Sequence, residues 1–387
     1  MSLRIGAAPF IMLTITAMTA GRSSRAADWS GTLQAAAGGG YVTNARMLPG
    51  ADNSDETAEL MVDGSAMRQT ERSQLTVTPR VLLTRYDHET DLDTNEGSLG
   101  IAFQEMLERG QWTFDGKGLT DSTVTSERGT TGVTYVNRRH DTGNADLGYQ
   151  YFSTERLSWQ LQIAGQITRY SDAAQFGLVN YDYGSVQFGP TWNFSERIDG
   201  SLTLEANRLN PQTGARQNDY GASLELRRKF SERYSWRVLA GGTRVEYGST
   251  DAAPGSSSTT VQYEVGTNYQ GERLQWDLSA RRAVMPIGIG LLAPETVLAL
   301  VVIANTSERG TLTLSLNGIR TDAVFVSQVP VYGGATFGQA SLEWRHKFTP
   351  HWSLSASYLQ ARSRTGEQDW ANGKQARLGV VWDSGRL

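Results

Sequence analysis

Cysteine is absent from this 387-residue chain, so no disulfide braces it and no thiolate chemistry operates in it. Histidine is scarce, with four copies, which leaves little material for metal sites or general-base work. Positive charge is not in excess: 36 Lys+Arg stand against 40 Asp+Glu, giving no cationic face suited to a nucleic acid. Downstream of Ala27 no apolar run approaches the roughly 18 residues a spanning helix requires, the longest being Val297 to Ala304. A helical membrane protein is excluded.

What is present first is an N-terminal leader pattern. Met1 to Arg4 carries one positive charge, Ile5 to Thr19 is apolar without an acidic residue, and Ser24-Arg25-Ala26 places small residues where a signal peptidase reads. Residues 1–26 are therefore expected to be a signal peptide, and residues 27–387 a single exported domain. Removal of Arg4, Arg22 and Arg25 leaves 33 Lys+Arg against 40 Asp+Glu, a formal charge of −7.

The rest of the chain is organised by a repeat. Thr70-Glu71-Arg72, Thr154-Glu155-Arg156, Ser195-Glu196-Arg197, Ser231-Glu232-Arg233, Gly271-Glu272-Arg273 and Ser307-Glu308-Arg309 each separate two stretches of alternating apolar and polar residues. Leu107-Glu108-Arg109-Gly110 and Phe348-Thr349-Pro350-His351 fill the same slot. Neighbouring copies lie 37, 47, 41, 36, 40, 36 and 41 residues apart, the length of two strands, one tight turn and one longer loop. Adding Thr32 to Asn44 and Gln375 to Asp383 predicts eighteen strands, with sixteen as the alternative.

The alternation is clearest from Leu157, where Leu157, Trp159, Leu161, Ile163 and Ile167 share one face and Ser158, Gln160, Gln162, Gln166 and Thr168 the other. Aromatics cluster beside the short turns: Trp112, Trp159, Trp236, Trp276 and Trp352 after them, and Trp192, Phe194, Phe230, Tyr269 and Phe348 before them. Such a ring suits a lipid headgroup interface, and a second outward ring is expected from Tyr86, Tyr170, Tyr181 and Tyr247. Loops are expected at about 45–56, 87–96, 123–143, 171–179, 209–218, 247–259, 284–296, 321–336 and 362–374. The fold class that follows is all-β: a single closed antiparallel transmembrane β-barrel in the outer membrane of a Gram-negative bacterium, with both termini periplasmic.

Charge placed in lipid costs roughly 2–4 kcal/mol at the midplane, so charged strand residues are assigned inward. The pore-lining candidates are Arg80, Lys117, Gln162, Glu205, Glu225, Arg227, Arg237, Glu264, Asp277, Arg281, Glu343, Arg345 and Arg377. With Lys229, Lys347, Glu59, Asp63, Asp115 and Asp199, nine cations face nine anions, so the interior has no expected sign. A barrel of about eighteen strands is too wide for wall side chains alone to fill, leaving either water or in-folded loops. Function is then a porin-like passage for hydrophilic solutes, or a structural barrel filled by its own ion pairs.

Catalytic readings are weak. His140 next to Asp141 is a minimal general-base pair, but neighbours in sequence seldom orient one another and no serine motif accompanies them. The acidic run Asp87, Glu89, Asp91, Asp93 and Glu96 lacks the fixed glycine and terminal bidentate acid of an EF-hand. No catalytic residue, metal site or cofactor is expected. Pro79 reads as a bulge or a strand end. Pro286 and Pro294, with Gly288 and Gly290, read as an ordered outer segment, either a rigid turn or a cover folded over the mouth.

Several of these features together resemble an outer-membrane β-barrel porin family often found with exopolysaccharide biosynthesis and export systems. The resemblance is carried by the Gly-rich strand ending in Tyr41-Val42-Thr43-Asn44, by Pro79, by Arg281-Arg282-Ala283-Val284-Met285-Pro286-Ile287-Gly288-Ile289-Gly290, by the Ser-Glu-Arg turns, and by the last hairpin around Tyr358, Arg362 and Ser363. It implies passage of a polysaccharide or small solute. The partners expected are outer-membrane lipid and lipopolysaccharide, the barrel-assembly machinery and periplasmic polysaccharide-export components. One departure is the C-terminus, where the aromatic Trp382 is followed by five further residues.

Overall fold

Every long stretch of period-two alternation forms a strand in the computed structural model, which describes residues 28–128, 137–249, 254–326 and 329–385. The expected signal peptide lies outside the described residues. Eighteen antiparallel strands of 12 to 16 residues each pair with their chain neighbours. The first, Asp28–Thr43, also pairs with the last, Ala371–Asp383, from Gln34 opposite Asp383 to Thr43 opposite Lys374. The sheet is thereby closed and has no free edge at its seam.

The tight turns owe their sequence to a backbone need. A hydroxyl at the first turn position accepts N–H groups that a two-strand reversal leaves unpaired. Thr154 Oγ1 accepts from the N–H groups of Arg156 and Leu157 at 3.2 and 3.0 Å, and Ser231 Oγ from those of Arg233 and Tyr234 at 3.2 and 3.1 Å. Thr349 does the same in the divergent copy, for His351 and Trp352. The carbonyl of the third turn residue then accepts from the next hairpin, as Arg72 does from Met106 and Arg233 from Gln270, both at 2.8 Å. The turns are thus stitched to one another around one end of the barrel, called here the turn end.

The outward face is apolar along its middle, with Leu161, Leu204, Leu224, Val265 and Leu298 all exposed. Near the turn end it carries stacked aromatics, Trp159 on Phe188 with centroids 5.5 Å apart and Tyr269 on Trp276 at 6.3 Å. At the opposite, loop end the expected tyrosine ring does not form. Tyr170, Tyr181 and Tyr247 are only 6%, 5% and 7% exposed and face the interior. Tyr86, likewise, packs against the buried cluster of Val42, Ala45, Leu92 and Val124. The physical reason is parity: Tyr170 shares a face with Thr168 and Gln166, not with Ile167. The outward positions at this level hold arginine instead: Arg85, Arg169, Arg208, Arg244, Arg282, Arg320 and Arg364 each continue an outward apolar stripe.

Loops are shorter than expected. Half of the stretch 209–218 is strand, and the segment 284–296 is a continuous hairpin, Leu274–Ile287 with Leu291–Asn305, closed by a tight turn. Glu96 lies in strand Thr94–Met106 rather than in the acidic loop. Pro79 marks neither a bulge nor an end. It sits inside Ser73–Tyr86, and the ladder lapses beside it at Gly64 and Ser65 while the register from Asp63–Arg80 to Ala66–Val77 is kept. A missing N–H removes a rung without adding a residue.

Candidate functional site

The interior is asymmetric along its axis. The three clusters of buried apolar residues all lie at the loop end, where connections fold into the mouth. In the largest, Leu178, Ile287, Leu292 and Val324, from three different connections, pack against Tyr170, Tyr181, Leu209, Val245 and Tyr247 of the wall. The hairpin tip at 287–291 is the main piece. The last pair joining its first strand to Ser256–Gln270 is Tyr263 with Arg282, and from Val284 to Ala293 the two arms form ladder pairs only with each other.

Freed from the wall, this tip docks on strands further round. Gln217, 2% exposed, donates from Nε2 to the Gly290 carbonyl at 2.9 Å and accepts at Oε1 from the Leu292 N–H at 2.8 Å. Tyr247 donates its hydroxyl to the Leu292 carbonyl at 3.0 Å, and the Val179 N–H donates to Gly288 O at 2.8 Å. Gly290 has φ +73°, and a Cβ there would stand 2.8 Å from Val179, so glycine is required twice over. Next to the tip the short helix Thr123–Ser126 buries Val124. Glu127, just after it, accepts from the Tyr170 hydroxyl at 2.6 Å. The prolines and glycines thus make both a rigid turn and a cover.

Beneath this cover two neighbouring cavities lie along one side of the wall. Of about 200 and 210 Å3, they share Glu59, Leu82 and Arg377. Both border the first strand, whose inward Ala36 and Gly38 line the second cavity with little or no side chain. Arg377 lies across Gly40 to reach Glu59 at 2.5 Å, joining the last strand to the second over the closing one. A Cβ on Gly40 would stand 2.9 Å from the Arg377 side chain and 2.6 Å from the Ala376 carbonyl. Toward the loop end the first cavity meets Glu96, which accepts from Thr125 at 3.1 Å, and Arg128, whose Nε donates to the Val124 carbonyl at 2.6 Å.

The expected pore-lining residues do not form one site. Arg80, Glu343, Arg345 and Arg377 line the cavity beside the first strand, with Arg345 to Glu343 at 3.3 Å. Arg227, Arg237 and Asp277 line a separate cavity of about 380 Å3 near the turn end, where Arg227 pairs with Glu225 and Arg237 with Glu264. Arg281 is opposite Glu264, and Lys117 opposite Gly100 and Asn144. Gln162 donates to Asp146 at 2.7 Å, and Glu205 bonds Thr243 and Gln262 under the cover. Glu96 and Arg128 were not among the candidates. Alternation from Gln104 back through Ala102, Gly100 and Ser98 places Glu96 inward, whereas nothing in the sequence sends the loop carrying Arg128 into the mouth.

Two smaller expectations change. His140 is oriented not by Asp141 but by Asp121, at 2.7 Å from Nδ1, with Thr142 at 2.9 Å from Nε2 and Tyr170 stacked on the ring. Asp141 instead accepts from Thr120 at 2.7 Å and Arg139 at 2.8 Å. The acidic run is divided among different partners: Asp91 and Glu89 pair with Arg46 at 2.6 and 3.4 Å, and Asp93 accepts from the Tyr86 N–H at 2.9 Å.

No family model and no curated protein matches the sequence. Among solved structures, the FrpB iron transporter from Neisseria meningitidis (F3-3 variant) is 8% identical at a TM-score of 0.46, covering 92% of this chain and 81% of its own. OccAB3 of Acinetobacter baumannii is 10% identical at 0.43, covering 92% and 99%. OpdL of Pseudomonas aeruginosa is 10% identical at 0.44, covering 93% and 99%. Likeness this distant carries no functional argument. The closed barrel rests on the strand register itself.

Proposed function

We propose that the chain is an outer-membrane channel for small hydrophilic solutes, with its turn end and both termini in the periplasm and its loop end outside. The observation that carries this reading is a closed eighteen-strand barrel, apolar outside and charged inside, with a cavity beside Ala36 and Gly38 lined by Arg80, Arg345 and Arg377. A wall of that circumference encloses more space than its own side chains fill. An exported polysaccharide strand is the finer reading. Its support is an interior rich in Gln, Ser and Thr, which offers hydroxyl groups many weak partners. The role in either case is passage, without a reaction of the barrel's own.

The in-folded loops favour one competing reading, a barrel that stays shut and serves to anchor an envelope assembly. Planar-bilayer recording separates the two. The channel reading expects small, weakly ion-selective conductance from the intact protein and larger steps after deletion of residues 286–294. Silence before and after the deletion would favour the anchor. Orientation is tested with cysteines: one at Ser256 should label from outside cells, one at Ser231 only from the periplasm, and the reverse pattern would overturn the topology.

A further inference from the structure

The outward arginines at the loop end share a position but not a partner. Arg169 pairs with Asp182 at 2.6 Å, Arg208 bonds Asn218 at 2.9 Å, and Arg320 pairs with Asp322 at 3.4 Å. Each is answered by an acid or amide nearby. The hairpin that closes the barrel departs from this pattern. Arg362 and Arg364, both outward on Trp352–Thr365, have their guanidinium carbons 5.1 Å from the ring centroid of one residue, Trp370. Among the described residues neither forms an ion pair. Lys374, also outward and exposed, is one diagonal step from Arg362, because Asn372 is directly opposite that arginine.

Three cations gathered on one outward patch, none in an ion pair with the Glu367 or Asp369 carboxylate of the adjoining loop, repel one another until an anion joins them. Their height identifies the anion. Below on the same face, past Gln360 and Ala376, come Tyr358 and Leu378, 45% and 58% exposed, which belong to the apolar band. The patch therefore begins where hydrocarbon ends, at the level of lipid headgroups. An aromatic ring that holds two guanidinium groups in place fits a half-wetted boundary, and fixed arginines suit phosphate better than mobile lysines do.

We propose that Arg362, Arg364 and Lys374, arranged around Trp370, bind the phosphate of an anionic glycolipid in the outer leaflet. The site rests on the reading that the loop end faces that leaflet. It gives the barrel one preferred lipid contact at its closing hairpin, where the first and last strands meet, rather than a uniform lipid collar.

The test uses the full-length mature protein in nanodiscs, with native mass spectrometry to count retained bisphosphorylated lipid A. Wild type should retain the lipid, and Arg362→Gln with Arg364→Gln should bind it roughly thirtyfold more weakly. Arg362→Lys with Arg364→Lys should recover only part of the binding, since charge returns without the planar fork, whereas Arg169→Gln should change little. Dephosphorylated lipid A should lose the preference, and excess inorganic phosphate should not displace the lipid. Equal retention by wild type and the double glutamine variant overturns the site, as does displacement by free phosphate. Both proteins should insert with the same heat-resistant gel mobility. A wild type that fails to insert overturns the outer-membrane reading and the site with it.

Discussion

Loosening the cover should open the proposed channel, and the docking of the 287–291 tip allows the size of the effect to be estimated. Leu292 is fully buried, and Leu292→Ala removes its packing at a cost of roughly 2–5 kcal/mol. Gln217→Ala leaves the Leu292 N–H and the Gly290 carbonyl without their partner, about 1–3 kcal/mol for each group that stays buried. At about 1.4 kcal/mol per factor of ten, a loss near 3 kcal/mol raises the undocked population on the order of a hundredfold. Wild type, Gln217→Ala and Leu292→Ala would be recorded in planar bilayers, with hydrogen exchange followed at residues 287–293. Open time and exchange rate should rise together in both variants. If both stay at wild-type values, the tip is not held by these contacts and the cover argument fails.

Other consequences can be checked independently. Leu161→Arg and Leu204→Arg, each placing a cation on the outward apolar face, should cost roughly 2–4 kcal/mol in refolding titrations, whereas Gln162→Arg and Thr203→Arg should be tolerated; equal damage from all four would refute the facing. Gly40→Val should displace Arg377 from Glu59 and lower the unfolding temperature, while Gly118→Ala, with open space around its Cβ position, should not. His88 Nδ1 donates to Asp55 Oδ1 at 3.2 Å and has Asp87 at 3.4 Å, and these carboxylates raise its pKa above the ordinary imidazole range. Because the folded value is the raised one, its tethering of the 87–93 loop is full below about pH 6.5 and lost as pH rises through the folded pKa. Imidazole NMR titration should show this shift in wild type and its reduction in Asp55→Asn.

Part of the fold was legible because a barrel wall is governed by local rules. Leu157 to Thr168 alternates since every second side chain meets lipid. Ser231 and Thr349 recur since a tight reversal needs a hydroxyl for its free N–H groups. Tyr170 and Tyr247 were misread because residue type was weighed above parity. The aromatic identity suggested an interface, although counting from Ile167 already turned Tyr170 inward. The arginine collar was visible in the same count, and its different partners were not.

The sequence by itself determined the eighteen strands, the positions of the turns and which strand residues face inward, because each depends on neighbours one or two residues apart. Only the tertiary structure decided that Gln217 holds Gly290, that Arg377 reaches Glu59 over Gly40, and that Arg362 and Arg364 share Trp370 without an acid. The first two contacts join residues 73 and more than 300 positions apart. The cover depends on an inward bend at Arg282 that no period-two pattern records. Alternation specifies the face of a residue on its strand, and the fate of a hairpin that leaves the wall is set by the distant surface it can bury.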